Sequence, residues 1–214
     1  MFDDRTQAGE ILAQKLVKYK DHPDTLILAL PRGGLPVAEP IAHALSLPLD
    51  IIITRKIGHP YSDEFALGAI SEYGSSAWKE DVDDIDNNWV NLELIKERAE
   101  IDRRKRVYLG KRKRLELEDK TVILVDDGAA TGMTTIAALK DLKKMGVKKI
   151  VIALPVAPYD TAREIKKYAS EIVCLYTSPV EEFYGSVGAY YNDFSQVGDA
   201  QVKTILKKIE ASRV

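Results

Sequence analysis

The thirteen residues Val122-Ile-Leu-Val-Asp-Asp-Gly-Ala-Ala-Thr-Gly-Met-Thr134 constrain this chain more than any other stretch. Val122 to Val125 form a short apolar run that reads as a buried strand. Two carboxylates, Asp126 and Asp127, stand at its carboxyl end, and Gly128, Ala129, Ala130, Thr131 and Gly132 make a turn of small residues. A helix follows from Thr134 to Met145, with Ile136, Leu139 and Leu142 as its inward stripe. Small residues let backbone N–H groups approach an anion, and a helix start adds positive partial charge. Two acids beside such a cradle suit a sugar phosphate, with carboxylates for ribose hydroxyls and the loop for the phosphate. No Gly-Lys-Thr/Ser opens the helix, so this is not an ATP-binding P-loop.

The rest of the chain alternates strand and helix. Helices are expected at Thr6–Tyr19, with Ile11, Leu12, Leu16 and Val17 on one face, and at Leu35–Leu45, Asp160–Tyr168 and Val202–Ile209. Strands are expected at Thr25–Leu30, Leu49–Thr54, Lys149–Leu154 and Ile172–Tyr176, with a short one around Leu67–Ile70. Asn88–Leu115 reads as a long charged helix, broken near Gly110, and Lys79–Asn91 is the best candidate for a mobile segment. Nearly all-apolar strands separated by helices imply an α/β fold, a doubly wound and mostly parallel sheet flanked by helices. Ligands of such sheets bind outside the carboxyl ends of the strands. That rim collects the loops after Leu30, Thr54, Val125, Leu154 and Tyr176.

A chain of 214 residues suits one domain, 1–214. A net charge of −2 gives no reason by itself to expect nucleic acid or membrane as a partner. No run is long enough to span a bilayer, and Met1-Phe-Asp-Asp-Arg5 has no apolar signal core, so the expected location is cytoplasmic. The lone Cys174 forms no intrachain disulfide and reads as a buried filler. Arg103–Arg114 holds eight Lys/Arg in twelve residues; neighbouring glutamates dilute it, which favours a solvated helix face over an RNA or DNA contact.

Three further loops on the rim carry candidate chemistry. In Leu30-Pro-Arg-Gly-Gly34, Gly33 and Gly34 expose consecutive N–H groups and Arg32 adds a fork of donors for phosphate, unless the turn is simply tight and its arginine solvated. Arg55-Lys56 follows the second strand. Phe183 to Phe194 is rich in aromatics and glycine; Phe183, Tyr184 and Tyr190 offer flat faces for a flat acceptor, whereas Tyr191 and Phe194 are equally well explained by packing.

An apolar strand, two acids, and Thr-Gly-x-Thr leading into a helix (Val125, Asp126, Asp127, Thr131, Gly132, Thr134) resemble the ribose-phosphate loop of type I phosphoribosyltransferases. The Pro-Arg-Gly-Gly, Arg-Lys-Ile-Gly and Val-Gly-x-Tyr-Tyr segments extend the resemblance, over nearly the full length, to a little-characterised branch of predicted phosphoribosyltransferases. It implies phosphoribosyl pyrophosphate (PRPP) as donor with Mg²⁺, and a nitrogenous acceptor such as a nucleobase. Arg32, Gly33, Gly34 and Lys56 are then expected to hold the pyrophosphate, and Gly128 to Gly132 with Thr134 the 5′-phosphate. Asp126 and Asp127 are expected to hold the ribose hydroxyls, directly or through magnesium waters. The catalytic set is Arg32, Lys56, Asp126 and Asp127.

The resemblance also implies a flexible loop and helical insertion at 57–115, a hood-like segment at 178–197, and a homo-oligomer, a dimer. His59 reads as an ordinary loop residue rather than a base. Asp193 loosely matches a magnesium-holding aspartate of hypoxanthine–guanine enzymes, at a spacing one residue off. Those enzymes carry an aspartate immediately before Thr-Gly; here it is Ala130, which predicts weak activity on 6-oxopurines. The alternative function is a PRPP- or nucleotide-sensing regulator of the same fold that binds RNA or DNA.

Overall fold

The computed structural model describes residues 1–60, 62–79, 85–110 and 112–211, with the backbone alone for 62–65. Five parallel strands form the central sheet: β1 (Thr25–Ala29), β2 (Leu49–Ile51), β6 (Thr121–Val125), β7 (Lys149–Pro158) and β8 (Glu171–Ser178), in the order β2-β1-β6-β7-β8. Successive side chains of a strand point to opposite faces. Ile27, Ala29, Ile123 and Val125 accordingly pack on one side, with α1 (Arg5–Lys15), α2 (Gly34–Leu45) and α6 (Asp199–Ala211). Leu26, Leu28, Val122 and Leu124 pack on the other, with α4 (Met133–Lys144) and α5 (Tyr159–Lys166). Both faces are covered, which is why the strands lack polar alternation.

The register pairs Ala29 with Val125, and Leu30 N–H donates to the Val125 carbonyl (2.9 Å). The ends of β1 and β6 therefore lie level, and the turn at 31–34 abuts Asp126 and Asp127.

The expected second strand divides in two. β2 ends at Ile51, and β3 (Thr54–His59) leaves the main sheet to pair antiparallel with β4 (Ser62–Ser71), which pairs with β5 (Ser76–Trp78). This three-stranded sheet packs on α4 and on α3 (Asn87–Tyr108). Where one short strand was expected, around Leu67–Ile70, a ten-residue strand is found. Alternation along β4 is masked because its small residues Ala66, Gly68 and Ala69 pack closely rather than as a hydrophobic stripe. Asp141 of α4 is buried and accepts from Tyr73 N–H (3.2 Å) and Ser75 N–H (3.0 Å), fixing the turn between β4 and β5.

α3 ends at Tyr108 rather than Leu115, and α1 stops at Lys15, which leaves Val17 exposed instead of inward. Of the segment expected to be mobile, Asn87–Asn91 is the first turn of α3, whereas residues 80–84 lie outside the described residues. Cys174 is only half-buried on the edge strand β8; burial pushes its thiol up to about 11.

Only part of the basic stretch is a solvated face: Arg106 and Lys113 are exposed, whereas Arg104, Arg112 and Arg114 are not. Arg112 and Arg114 lie across the edge of β2, donating to the carbonyls of Leu49 (2.9 Å) and Ile51 (2.6 Å). Arg114 also binds Glu72 (3.2 Å) and approaches Asp50 (3.4 Å), both of which are sealed from solvent. These arginines cover an open strand edge and neutralise buried carboxylates.

Candidate active site

A cleft of about 490 Å³ opens at the carboxyl ends of β1 and β6. It is lined by Arg32 and Gly33, Arg55 and Lys56, Asp126 and Asp127, and Thr134, together with Phe194, which the sequence explains equally well by packing, and with Arg5, Arg104, Gln196 and Val197, which were not expected at the site. Three separated segments expected to carry chemistry (31–33, 55–56, and 126–127 with 134) thus meet in one place.

Asp127 is the crowded centre. Arg5 Nε donates to its Oδ2 (2.8 Å), with the two side chains only 11 % and 16 % exposed. The same guanidinium lies 3.7 Å above the Phe194 ring and donates through Nη1 to the Ser195 carbonyl (2.9 Å). Tyr191 donates its hydroxyl to the Asp127 carbonyl (2.6 Å). Behind the carboxylate lies Gly33: a Cβ there would meet Asp127 Oδ2 at 2.0 Å, and one on Gly34 would meet the Val125 carbonyl oxygen at 2.7 Å. The paired glycines are thus required for close approach to the acids, besides exposing their N–H groups. The peptide between Pro31 and Arg32 is cis.

Asp126 accepts from Asp127 N–H (2.9 Å). Burial and then the neighbouring Asp127 push its carboxyl well above the usual carboxylate range. Burial raises Asp127 as well, opposed by Arg5. The acid pair has one bonded cation for two carboxylates, and so room for a further cation or hydrogen-bond donors.

The turn after Asp127 is pinned on its outer side. Ala129 N–H donates to the Val156 carbonyl (2.9 Å), and Thr161 Oγ1 of α5 donates to the Ala130 carbonyl (2.7 Å). Gly132 holds φ +72°, a left-handed conformation open to glycine, and starts α4. Among the described residues, no backbone N–H from Ala130 to Thr135 donates to a backbone or side-chain acceptor. A helix start with such free donors is an anion cradle.

Phe183, Tyr184 and Tyr190 are brought together, but not among the residues lining this cleft. Tyr190 is buried at the centre of an aromatic cluster, with the Phe183, Tyr184 and Tyr176 rings 5.2, 5.2 and 5.3 Å away; Tyr184 remains largely exposed. Asp193 also stands outside the lining, and accepts from Ser195 N–H (2.9 Å) and Oγ (2.7 Å). His59 does not line the cleft either. Among the described residues, no group of three or more His, Cys, Asp or Glu could hold a metal ion by itself, and no helix is long and apolar enough to cross a membrane.

A family model described as phosphoribosyl transferase domain matches residues 4–192. A Mycobacterium tuberculosis protein named "Putative phosphoribosyl transferase Rv0571c" is 36 % identical over 211 residues, 97 % of this chain and 47 % of that protein. The chain thus spans about half the length of the curated relatives it matches. Among solved structures, TT1426 from Thermus thermophilus is 36 % identical with a TM-score of 0.77, over 97 % of this chain and 98 % of that one. The AQ2163 protein from Aquifex aeolicus, 14 % identical with a TM-score of 0.52 over 81 % and 73 % of the two chains, is similar in fold.

Proposed function

Because the chain belongs to the phosphoribosyl transferase domain family, we propose that it transfers the 5-phosphoribosyl group of PRPP to a nitrogenous acceptor, with release of pyrophosphate. The observation that carries this reading is the meeting of Arg32-Gly33, Lys56, the two acids and the start of α4 in one cleft. The acceptor is taken to be a nucleobase, and the location cytoplasmic.

In this reading the 5′-phosphate lies on the amides of the 128–132 turn and beside Thr134, which anchors the sugar. Asp126 and Asp127 accept from the ribose hydroxyls. Carbon 1 gains oxocarbenium character as the pyrophosphate departs, and Arg32, Lys56 and the 33–34 amides neutralise the growing charge. Catalysis rests on positioning and electrostatics.

Magnesium fits the same residues. Asp126 has no cationic hydrogen-bond partner among the described residues, and its raised pKa marks a carboxylate in want of one. Mg²⁺ is commonly held by one or two carboxylates plus substrate phosphates rather than by an all-protein cage. Asp126 and Asp127 would hold it, and bound there it would supply further positive charge against the pyrophosphate. The aromatic cluster around Tyr190 is the proposed acceptor-binding element, and Ala130 removes an acidic contact for 6-oxopurines.

The test is an acceptor screen with PRPP and Mg²⁺ that follows pyrophosphate release. Release dependent on one base class is the expected result; PRPP binding without turnover on any base would remove the transferase reading. For the donor, Asp126→Asn with Asp127→Asn is expected to weaken PRPP binding at least tenfold by calorimetry, about 1.4 kcal/mol. A folded double variant with unchanged affinity would refute the placing of the ribose.

A further inference from the structure

α3 brings an arginine into the cleft that the proposed reaction has not used. Arg104 is buried, and its Nε donates to Glu100 Oε1 (2.8 Å). Its two terminal nitrogens have no partner among the described residues, yet neither is sealed from solvent. Arg104 is one of the residues that line the cleft. Arg55 is held in a similar way: its Nε is bound to Glu97, and the residue lines the same cleft. Glu97 and Glu100 stand three apart on α3 and so share one face of the helix. One helix face thus fixes two guanidiniums at their inner nitrogens.

The charge count at this end of the cleft is unbalanced. Glu100 serves both Arg103 (2.6 Å) and Arg104, and Asp199 serves both Arg103 (2.8 Å) and Arg32 (3.7 Å). Three guanidiniums therefore share two carboxylates. Glu100 is held down at about 2, by Arg103 first and Arg104 after it, so it stays ionised and does not relieve the excess. A buried arginine with free donors and an unmatched positive charge calls for an anion. Asp199 links Arg32 to Arg103, the residue beside Arg104, so the excess lies on the Arg32 side of the cleft.

We propose that Arg104 and Arg55 form a guanidinium pair, positioned by Glu100 and Glu97, that grips the diphosphate end of the donor beyond the reach of Arg32 and Lys56. This rests on the phosphoribosyl-transfer reading for the identity of the ligand, but the anion site stands on its own geometry. The stretch 103–114 then divides by role: Arg104 serves the cleft, while Arg112 and Arg114 serve the fold.

Titration calorimetry with inorganic pyrophosphate, PRPP and ribose 5-phosphate, each with Mg²⁺, tests the pair. R104Q is expected to weaken pyrophosphate and PRPP at least tenfold and to leave ribose 5-phosphate within twofold. R104K is expected to recover only part of the loss, since lysine cannot fork between Glu100 and an anion. R55Q, which removes a half-buried strand residue and with it the partner of buried Glu97 on α3, carries the same expectation. E100Q is expected to weaken pyrophosphate several-fold and spare ribose 5-phosphate, a split that a merely structural role would not produce. Unchanged pyrophosphate affinity in a folded R104Q or in R55Q, or equal losses for all three ligands, would overturn the proposal. If wild type binds pyrophosphate but neither PRPP nor ribose 5-phosphate, and R104Q loses that binding, the anion pair is upheld and the phosphoribosyl reading falls instead.

Discussion

Gly33→Ala is expected to weaken PRPP binding about a hundredfold, ~2.7 kcal/mol. The added methyl would lie 2.0 Å from Asp127 Oδ2 and 2.5 Å from its Cγ. The carboxylate cannot simply turn aside, because Arg5 holds the same oxygen at 2.8 Å. Either the 31–34 turn lifts away from β6 or the Arg5–Asp127 pair parts. Both move a group proposed to contact the donor, and overpacking of this kind costs ~1–3 kcal/mol in general. Calorimetry on the folded variant checks the expectation, with Gly58→Ala as control, since a Cβ at Gly58 meets nothing within 4 Å. Full PRPP affinity in Gly33→Ala would mean that this turn is remote from the donor.

Arg114→Ala is expected to lower stability by ~3 kcal/mol, at the lower end of what breaking a buried ion pair costs. Arg114 is about one-quarter exposed (26 %), which places the effect at that end, but Glu72 and Asp50, which it neutralises, are 0 % and 1 % exposed. Removing it leaves Glu72 with Lys105 at 3.9 Å and Asp50 with Arg112 at 3.7 Å. For a chain of this size the loss corresponds to a melting temperature lower by about 6–12 °C. Thermal unfolding of the two proteins measures it. If Arg114→Ala melts with wild type but loses a salt-sensitive affinity for RNA or DNA, the basic stretch is a nucleic-acid surface and the regulatory alternative gains.

Features set by near neighbours were legible from the residues alone. The run from Val122 to Thr134 holds a strand, two acids, a turn and a helix start in unbroken order, so its local layout could be read directly. The turn at 31–34 followed from its glycines, and the parallel sheet from apolar strands alternating with helices. Less legible was the segment from Thr54 to Trp78. Its small residues give little periodic signal, and its pairing as a second sheet depends on the docking of α3 and α4.

Two cations of the cleft, Arg5 and Arg104, were the least legible, for an electrostatic reason. An arginine reads alike in sequence whether it ends in water or on a buried carboxylate. Arg5 is 122 positions from Asp127, and nothing in its own neighbourhood marks it. Arg104 lies in a run whose glutamates pointed to a solvated helix, yet Glu100 fixes Arg104 toward the cleft while Asp50 and Glu72 draw Arg112 and Arg114 onto the edge of β2. Tyr190 likewise reads as a face for a ligand, and only the folding of Tyr176, Phe183 and Tyr184 around it makes it the centre of a cluster. The sequence by itself determined the alternation of strands and helices along the chain and the acids at the end of β6. Tertiary structure alone decided which charges face one another, because the partner of a buried charge is chosen by proximity in space.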